Sequence, residues 1–293
     1  MIEKLTIFGV GLIGGSLALA LKKAGVVEEI IGCSRDEAHL KQAVNLGVID
    51  DFELDPELAA ANADLIFLSV PMRAMETVMQ SFKSVIGPDT VITDGGSSKA
   101  SIVAAAKNVF GEIPANFVPG HPIAGREKSG VGAAIDSLYQ NHKVILTPLD
   151  HTHPSAVQRV KKMWETVGAH VETLEVEQHD RVLAATSHLP HVVAYAMVDT
   201  LSKTTFVDEI FHYAAGGFRD LSRIASSDPT MWRDICLENK PAILEMVDAY
   251  QRTLDTIKTQ IETDDAEGLF EIFESAKTTR DSHVHPHDAK SHK

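Results

Sequence analysis

An α/β protein, with a doubly wound and mostly parallel sheet first and an all-α domain after it, is what this sequence predicts. Three observations carry that expectation. Short β-branched runs alternate with helical stretches through the first half, the order that implies right-handed crossovers and a parallel sheet. Strand-like runs cease near Val176, and helical patterns take over from Gln178 to Ser275. A glycine-rich turn sits directly behind the first strand-like run.

Taken in order, Leu5–Phe8, Ile30–Cys33, Leu65–Val70, Val91–Thr93 and Val144–Leu146 read as strands buried on both faces,. Ser16–Lys23, Asp36–Leu46 and Ser98–Asn108 carry apolar residues at helical spacing. The boundary falls near Val176, giving residues 1–176 as a dinucleotide-binding domain and 177–280 as a helical substrate and dimerisation domain. Residues 281–293 hold four of the 14 histidines in a short polar tail, where disorder is the expectation.

The bulk numbers exclude several classes. A net charge of −14 over 293 residues gives no positive footprint for nucleic acid or an anionic membrane,. No apolar run approaches a membrane span, and Met1 leads straight into a strand rather than a signal peptide,. Cys33 and Cys236 are the only cysteines and form no CxxC pair. That argues for a reducing compartment, the cytoplasm, and against a thiolate metal site. No metal is expected.

GVGLIGG at Gly9–Gly15 places Gly9, Gly11 and Gly14 in GxGxxG spacing after a strand and before a helix. The glycines permit a tight turn, a close approach of backbone to pyrophosphate and a close helix–strand packing, so Gly9, Gly11, Leu12, Ile13 and Gly14 should cradle a dinucleotide in a Rossmann-type unit. About 20 residues on, where the ribose is read, stand Ser34 and Arg35. A hydroxyl and a guanidinium suit a 2′-phosphate and favour NADP, although Asp36 could still serve the ribose of NAD.

Ligands of open α/β sheets bind beyond the carboxyl ends of the strands. The third strand ends in Ser69, Val70 and Pro71, a turn expected near the nicotinamide. The fourth ends in TDGGSSK (Thr93–Lys99), where two glycines, two hydroxyls and Lys99 look like a close-approach loop that opens a helix at the ligand side, with Ser97 or Ser98 as its cap,. The run Phe117–Pro119 then delivers GHPIAGREKSG (Gly120–Gly130) as a strand end, with His121 either aimed at a substrate or merely a turn residue. In the helical half, Pro190 within Ser187–His191 should kink or restart a helix and could turn His188 or His191 into a cavity,. Arg223 stands among Leu221, Ile224 and Ala225, which suits a guanidinium directed inward at a carboxylate; a surface pair with Asp220 or Asp228 is the alternative,.

These motifs, with GGFRDLSRIASSDPTMWRD (Gly216–Asp234), occur in an order that resembles the prephenate and arogenate dehydrogenases of tyrosine biosynthesis, over about residues 4–275. The resemblance is to the monofunctional core of that family, without a mutase or regulatory segment. It implies oxidative decarboxylation of prephenate or arogenate with NAD or NADP. By the same resemblance His121 is the catalytic histidine acting on the substrate's 4-hydroxyl, and Ser97 hydrogen-bonds that hydroxyl and orients the histidine. Arg223 holds the ring carboxylate, His188, His191 and Ser187 line the pocket, and Trp232 has a supporting role. It further implies a homodimer through the helical domain. A β-hydroxyacid dehydrogenase, or a dinucleotide sensor without catalysis, would share the Gly9–Gly15 turn.

Overall fold

The computed structural model describes residues 1–126 and 128–283. Six strands form one parallel sheet: β1 (Ile2–Phe8), β2 (Val27–Cys33), β3 (Asp51–Glu53), β4 (Leu65–Leu68), β5 (Val91–Asp94) and β6 (Phe117–Val118). Their order, β3-β2-β1-β4-β5-β6, reverses direction between β1 and β4, where doubly wound sheets open a ligand crevice. The connecting helices are α1 (Leu12–Ala24), α2 (Glu37–Asn45), α3 (Pro56–Ala60), α4 (Met75–Phe82) and α5 (Lys99–Phe110).

Side-chain alternation along the strands explains the two cores. Leu5 and Ile7 of β1, with Leu65 and Phe67 of β4, join one apolar cluster. Phe8, with Ile66 and Leu68, joins the other on the opposite face, as a period of two requires. Both faces are therefore buried, and the strands read as continuous apolar runs.

The expected fifth parallel strand is corrected by the structure. Pro119 separates β6 from β7 (Gly120–Pro122), which belongs to a second sheet, β7-β8-β9, with β8 (Lys143–Leu146) and β9 (His170–Thr173). β7 runs antiparallel to β8, with His121 opposite Ile145. Pro119 lacks the N–H that would continue a ladder, so the chain changes sheets there. His121 consequently sits within a strand, not in the loop beyond one. The very short β3 and the largely exposed β9 carry too little apolar pattern to be read from sequence.

After α6 (Pro154–Thr166) and β9 the described chain is helical: α7 (Val176–Leu183), α8 (Leu189–Ser202), α9 (Val207–His212), α10 (Gly216–Ser222), α11 (Pro229–Glu238), α12 (Lys240–Glu262) and α13 (Ala266–His283). By compactness the chain divides into Met1–Lys240 and Pro241–Lys293. The tail expectation needs one correction, because residues 281–283 complete α13, supported by the Lys277–Asp281 ion pair one turn apart,. Residues 284–293, the rest of that tail, lie outside the described residues, as does Glu127 of the GHPIAGREKSG segment.

Candidate functional site

The glycine turn has the shape a dinucleotide needs. Gly9 has φ +90°, and a Cβ there would lie 2.6 Å from the Ser69 carbonyl oxygen; one on Gly14 would lie 2.4 Å from Ser69 Oγ. Both glycines are required by packing within the protein. Gly11 is different, since a Cβ on it would meet nothing within 4 Å, which leaves open the side from which a diphosphate approaches. Gly11 caps α1 without a side-chain hydrogen bond, and the first turn from Leu12 through Ile13 and Gly14 carries no acidic residue. Its N–H groups and positive dipole end are thus available to an anion. The residues present fit a dinucleotide.

Ser69 braces this turn. Its hydroxyl donates to the Gly9 carbonyl at 2.7 Å, while half-buried Val70 and exposed Pro71 follow it towards α4. At the tip of β2, Ser34 Oγ accepts from the Asp36 N–H at 3.1 Å, and Arg35 is exposed. Asp36 is committed as the N-cap of α2, accepting from the His39 N–H at 3.1 Å,. Cys33 just before it is pushed up to about 12 by burial, with the charges of Asp55 and Glu53 adding to the effect.

His121 is buried, and its backbone and ring are gripped separately. Asp94 Oδ1 accepts from the Gly120 N–H at 3.1 Å, and the Lys99 ammonium donates to both Asp94 Oδ2 and the Gly120 carbonyl. Asp94 and Lys99 form an ion pair with both side chains 0% exposed. Burial lowers the Lys99 ammonium below its ordinary range, with Asp94 and Asp180 opposing that shift. The His121 ring meets His179, Nδ1 to Nε2, at 2.9 Å, and His179 Nδ1 meets Asp180 Oδ1 at 2.8 Å. Asp180 also accepts from the Lys99 N–H at 2.8 Å, the Ala100 N–H at 2.9 Å and Ser98 Oγ at 3.3 Å. The carboxylate therefore sits on the N-terminus of α5, where the dipole favours negative charge.

Burial lowers His121 well below the ordinary imidazole range, and nearby His179, Lys99 and His188 lower it further. A neutral imidazole at neutral pH is the consequence. Burial raises the Asp180 carboxyl, but hydrogen bonds from His179, Lys99 and Ala100 outweigh it and leave it below the usual range. Ser98 is the N-cap of α5 by position, with its hydroxyl on Asp180 and the Glu238 carbonyl instead of the helix end. Ser97, one residue earlier, is half-buried.

The Pro190 expectation takes a definite form. Ala184–His188 is a π-helical turn between α7 and α8, with Leu189 and Pro190 opening α8, and such turns re-aim side chains. His188 is 1% exposed. Its Nδ1 meets Asn239 Nδ2 at 3.1 Å, while its Nε2 is buried without a partner among the described residues. Burial brings His188 down to about 4, partly opposed by Asp180. His191 stacks on Trp232 with ring centres 3.6 Å apart, and its Nδ1–H donates to the Ser187 carbonyl at 2.9 Å. Trp232 Nε1 is likewise buried without a partner among the described residues.

Arg223 opens a 3₁₀ turn after α10 and is exposed, which corrects the expectation of a guanidinium directed inward within this chain. It lies close enough to His191 for its charge to contribute to lowering that imidazole, after the larger effect of burial. Asp228 caps α11 by accepting from the Met231 N–H.

The sequence reading missed His179, Asp180 and Asn239, and took Lys99 for part of a close-approach loop. The first two did leave a signal. His179, Asp180 and Leu183 form the buried stripe of α7, so a histidine and an acid stand where an amphipathic helix should be apolar.

Two family models match the chain: prephenate dehydrogenase, nucleotide-binding domain, over residues 17–173, and prephenate dehydrogenase, dimerization domain, over residues 175–275. The prephenate dehydrogenase of Bacillus subtilis (strain 168) is 40% identical over 285 residues, covering 96% of this chain and 76% of its own. The cyclohexadienyl dehydrogenase of Zymomonas mobilis is 37% identical over 293 residues, covering 98% of each. Among solved structures, prephenate dehydrogenase from Aquifex aeolicus in complex with hydroxyphenyl propionate and NAD+ superposes with a TM-score of 0.88. It is 38% identical, covering 96% of this chain and 98% of that one.

Proposed function

This chain belongs to the prephenate dehydrogenase family, and from that premise we propose that it oxidatively decarboxylates prephenate, arogenate or both. The products are 4-hydroxyphenylpyruvate or tyrosine, with carbon dioxide. A nicotinamide dinucleotide bound at Gly9–Gly14 supplies the hydride acceptor.

The observation that carries the reading is His121, a buried imidazole kept neutral with its Nδ1 already occupied by His179. Its Nε2 takes the proton of the substrate's ring hydroxyl as that carbon loses hydride and acquires carbonyl character. The ring carboxylate leaves as carbon dioxide, its bonding pair completes the aromatic ring, and the proton returns to the ring oxygen. Ser97 hydrogen-bonds the same hydroxyl. Arg223 binds the ring carboxylate, with His188, His191 and Ser187 around the remainder of the substrate. The buried nitrogens His188 Nε2 and Trp232 Nε1 have no partner among the described residues, and an anionic substrate supplies acceptors for such groups. A β-hydroxyacid dehydrogenase would place a lysine on the helical half, where this chain offers histidines. A sensor without chemistry would leave the His121 network without a purpose.

NADP is the favoured cofactor. Asp36 spends its carboxylate on the cap of α2, leaving Ser34 and Arg35 to meet a 2′-phosphate. The partner is a second copy of this chain, joined through the helical half. The described residues of α13 bury nothing, and a helix with no buried face draws its stability from something that covers it. Among the described residues no helix is long and apolar enough to cross a membrane.

The test is reduced-nicotinamide absorbance with prephenate and arogenate, each with NAD and NADP. Turnover is expected in at least one of the four mixtures, and silence in all four ends the proposal. His121→Asn should lower kcat by about 10² to 10⁴, the contribution of a positioned general base, with cofactor affinity nearly unchanged. Unchanged turnover would return His121 to the role of a strand residue.

A further inference from the structure

We propose that Asp180 and Asn239 are positioning residues that fix His121 and His188 in opposite tautomers, so the site presents one proton acceptor and one proton donor. The catalytic meaning of this arrangement rests on the dehydrogenase reading above; the tautomers themselves follow from hydrogen-bond directions between imidazoles that burial keeps neutral.

An ionised carboxylate only accepts. Asp180 takes the Lys99 and Ala100 N–H groups at 2.8 and 2.9 Å, so its contact with His179 Nδ1 at 2.8 Å requires a proton on that nitrogen. Burial holds His179 below its ordinary range despite Asp180, so it is neutral and its Nε2 is a lone pair. The His121 Nδ1 facing it at 2.9 Å must then donate. His121 is neutral too, so its Nε2 is left as the acceptor. The titratable and charged groups around it are His179, Lys99 and His188, with Asp94 on Lys99 and Asp180 on His179.

The second branch starts from the same residue. The Asp180 backbone carbonyl, also acceptor-only, lies 2.8 Å from Asn239 Nδ2. That contact identifies the atom as the amide nitrogen, which resolves the orientation of Asn239. The amide's other hydrogen points to His188 Nδ1 at 3.1 Å. This nitrogen must accept, and the proton of neutral His188 resides on Nε2, the buried atom without a partner among the described residues. One residue thus sets both histidines, His121 through its carboxylate and His188 through its carbonyl.

Long-range proton–nitrogen NMR of the full chain, histidine-labelled and saturated with NADP, reads the tautomers directly, with His121→Asn and His188→Asn as assignment controls. Protonated Nδ1 on His121 and protonated Nε2 on His188 are expected from pH 6.5 to 8. Either tautomer reversed overturns the proposal. Asp180→Leu leaves His179 Nδ1 without its acceptor, so nothing holds the proton there and the His121 ring loses its fixed tautomer. The expected cost is about 10² to 10³ in kcat, within the contribution of a positioned general base, with the cofactor KM within about threefold of wild type. A kcat within about tenfold of wild type overturns the proposal.

Where Asp180→Leu fails to fold, the wild-type spectrum and a pair of His179 variants decide. His179→Gln keeps an acceptor for His121 Nδ1 and should retain kcat within about tenfold, whereas His179→Leu should lose about a hundredfold; equal losses in the two overturn the relay. Asn239→Leu should raise substrate KM with little change in kcat, since it releases only the His188 branch, and an unchanged KM overturns that branch. Tautomers as stated, with no turnover in any substrate and cofactor mixture, would sink the dehydrogenase reading and leave the tautomer assignment standing.

Discussion

Between Ile2 and Val171 the apolar side chains gather into two continuous clusters, one on each face of the main sheet. Beyond Val176 more of the large apolar side chains lie at the surface. Phe206, Phe211, Tyr213, Leu221, Phe270 and Phe273 stand exposed, while His179, Asp180, His188, Asp234 and Asn239 are buried. The strand-built part spends its apolar residues on its own core. The helical part buries a few apolar residues, Leu183, Ala194, Trp232 and Ile235 among them, beside polar ones at the site, and leaves several large apolar ones outside, an arrangement suited to a surface completed by another copy. Positions in the first part are thus fixed by internal packing, and those in the second are fixed partly by what covers them.

The largest effect should come from charging the exposed apolar face of the helical part. Phe270→Glu with Phe273→Glu removes two aromatic side chains three residues apart on α13, each worth about 1.5–3 kcal/mol when buried. Association should weaken by about 10² to 10⁴ in Kd, read by sedimentation at micromolar concentration. Leu58→Glu alters an equally exposed apolar residue on α3 and should leave the oligomer intact. A dimer unaffected by the first change, or disrupted by the second, would break the comparison.

The next effect tests the closed part. Lys99 and Asp94 are paired at zero exposure, and removing one member of a buried pair costs about 3–5 kcal/mol because the other charge remains uncompensated. Lys99→Met should lower unfolding free energy by about that amount in urea titration. Adding Asp94→Asn to it should recover part of the loss. No recovery would mean that the damage comes from the lost grip on the Gly120 carbonyl and not from a stranded carboxylate.

The same contrast governs what could be read from the sequence. The Gly9–Gly15 turn and the strand periodicity are local patterns, and each was legible because its physical cause lies within a few residues. The departure of β7 from the main sheet has a local cause as well, Pro119, but its destination depends on pairing with β8 more than 20 residues later. The His121 relay was hidden for a stronger version of that reason. His121 meets His179 across 58 residues, and Ser98 meets the Glu238 carbonyl across 140. No spacing rule links such positions. Lys99 looked like a cation opening a helix beside a ligand, because sequence pattern does not show that Asp94 folds over it. Resemblance to a family supplied His121 and Arg223 by motif and named Ser97 as what orients the imidazole, but it gave no sign of His179, which meets the ring directly.

The smallest effect concerns Arg223, where the two parts of the comparison meet in one residue. It belongs to the Leu221–Ala225 apolar run yet is exposed, unlike the buried cation Lys99. An exposed guanidinium is screened by solvent until a ligand or a covering surface excludes water, so little folding stability should depend on it. Arg223→Ala should leave unfolding free energy within about 0.5 kcal/mol of wild type. A charge-assisted hydrogen bond to a substrate carboxylate is worth about 1.5–3 kcal/mol, so KM should rise about tenfold to a hundredfold. kcat should change little, because the carboxylate is gripped before the transition state as well as in it. Steady-state kinetics separates the outcomes: a fall in kcat at constant KM would assign Arg223 to the departing carboxylate in the transition state. A loss of stability with neither kinetic change would make it a structural member of the open helical surface.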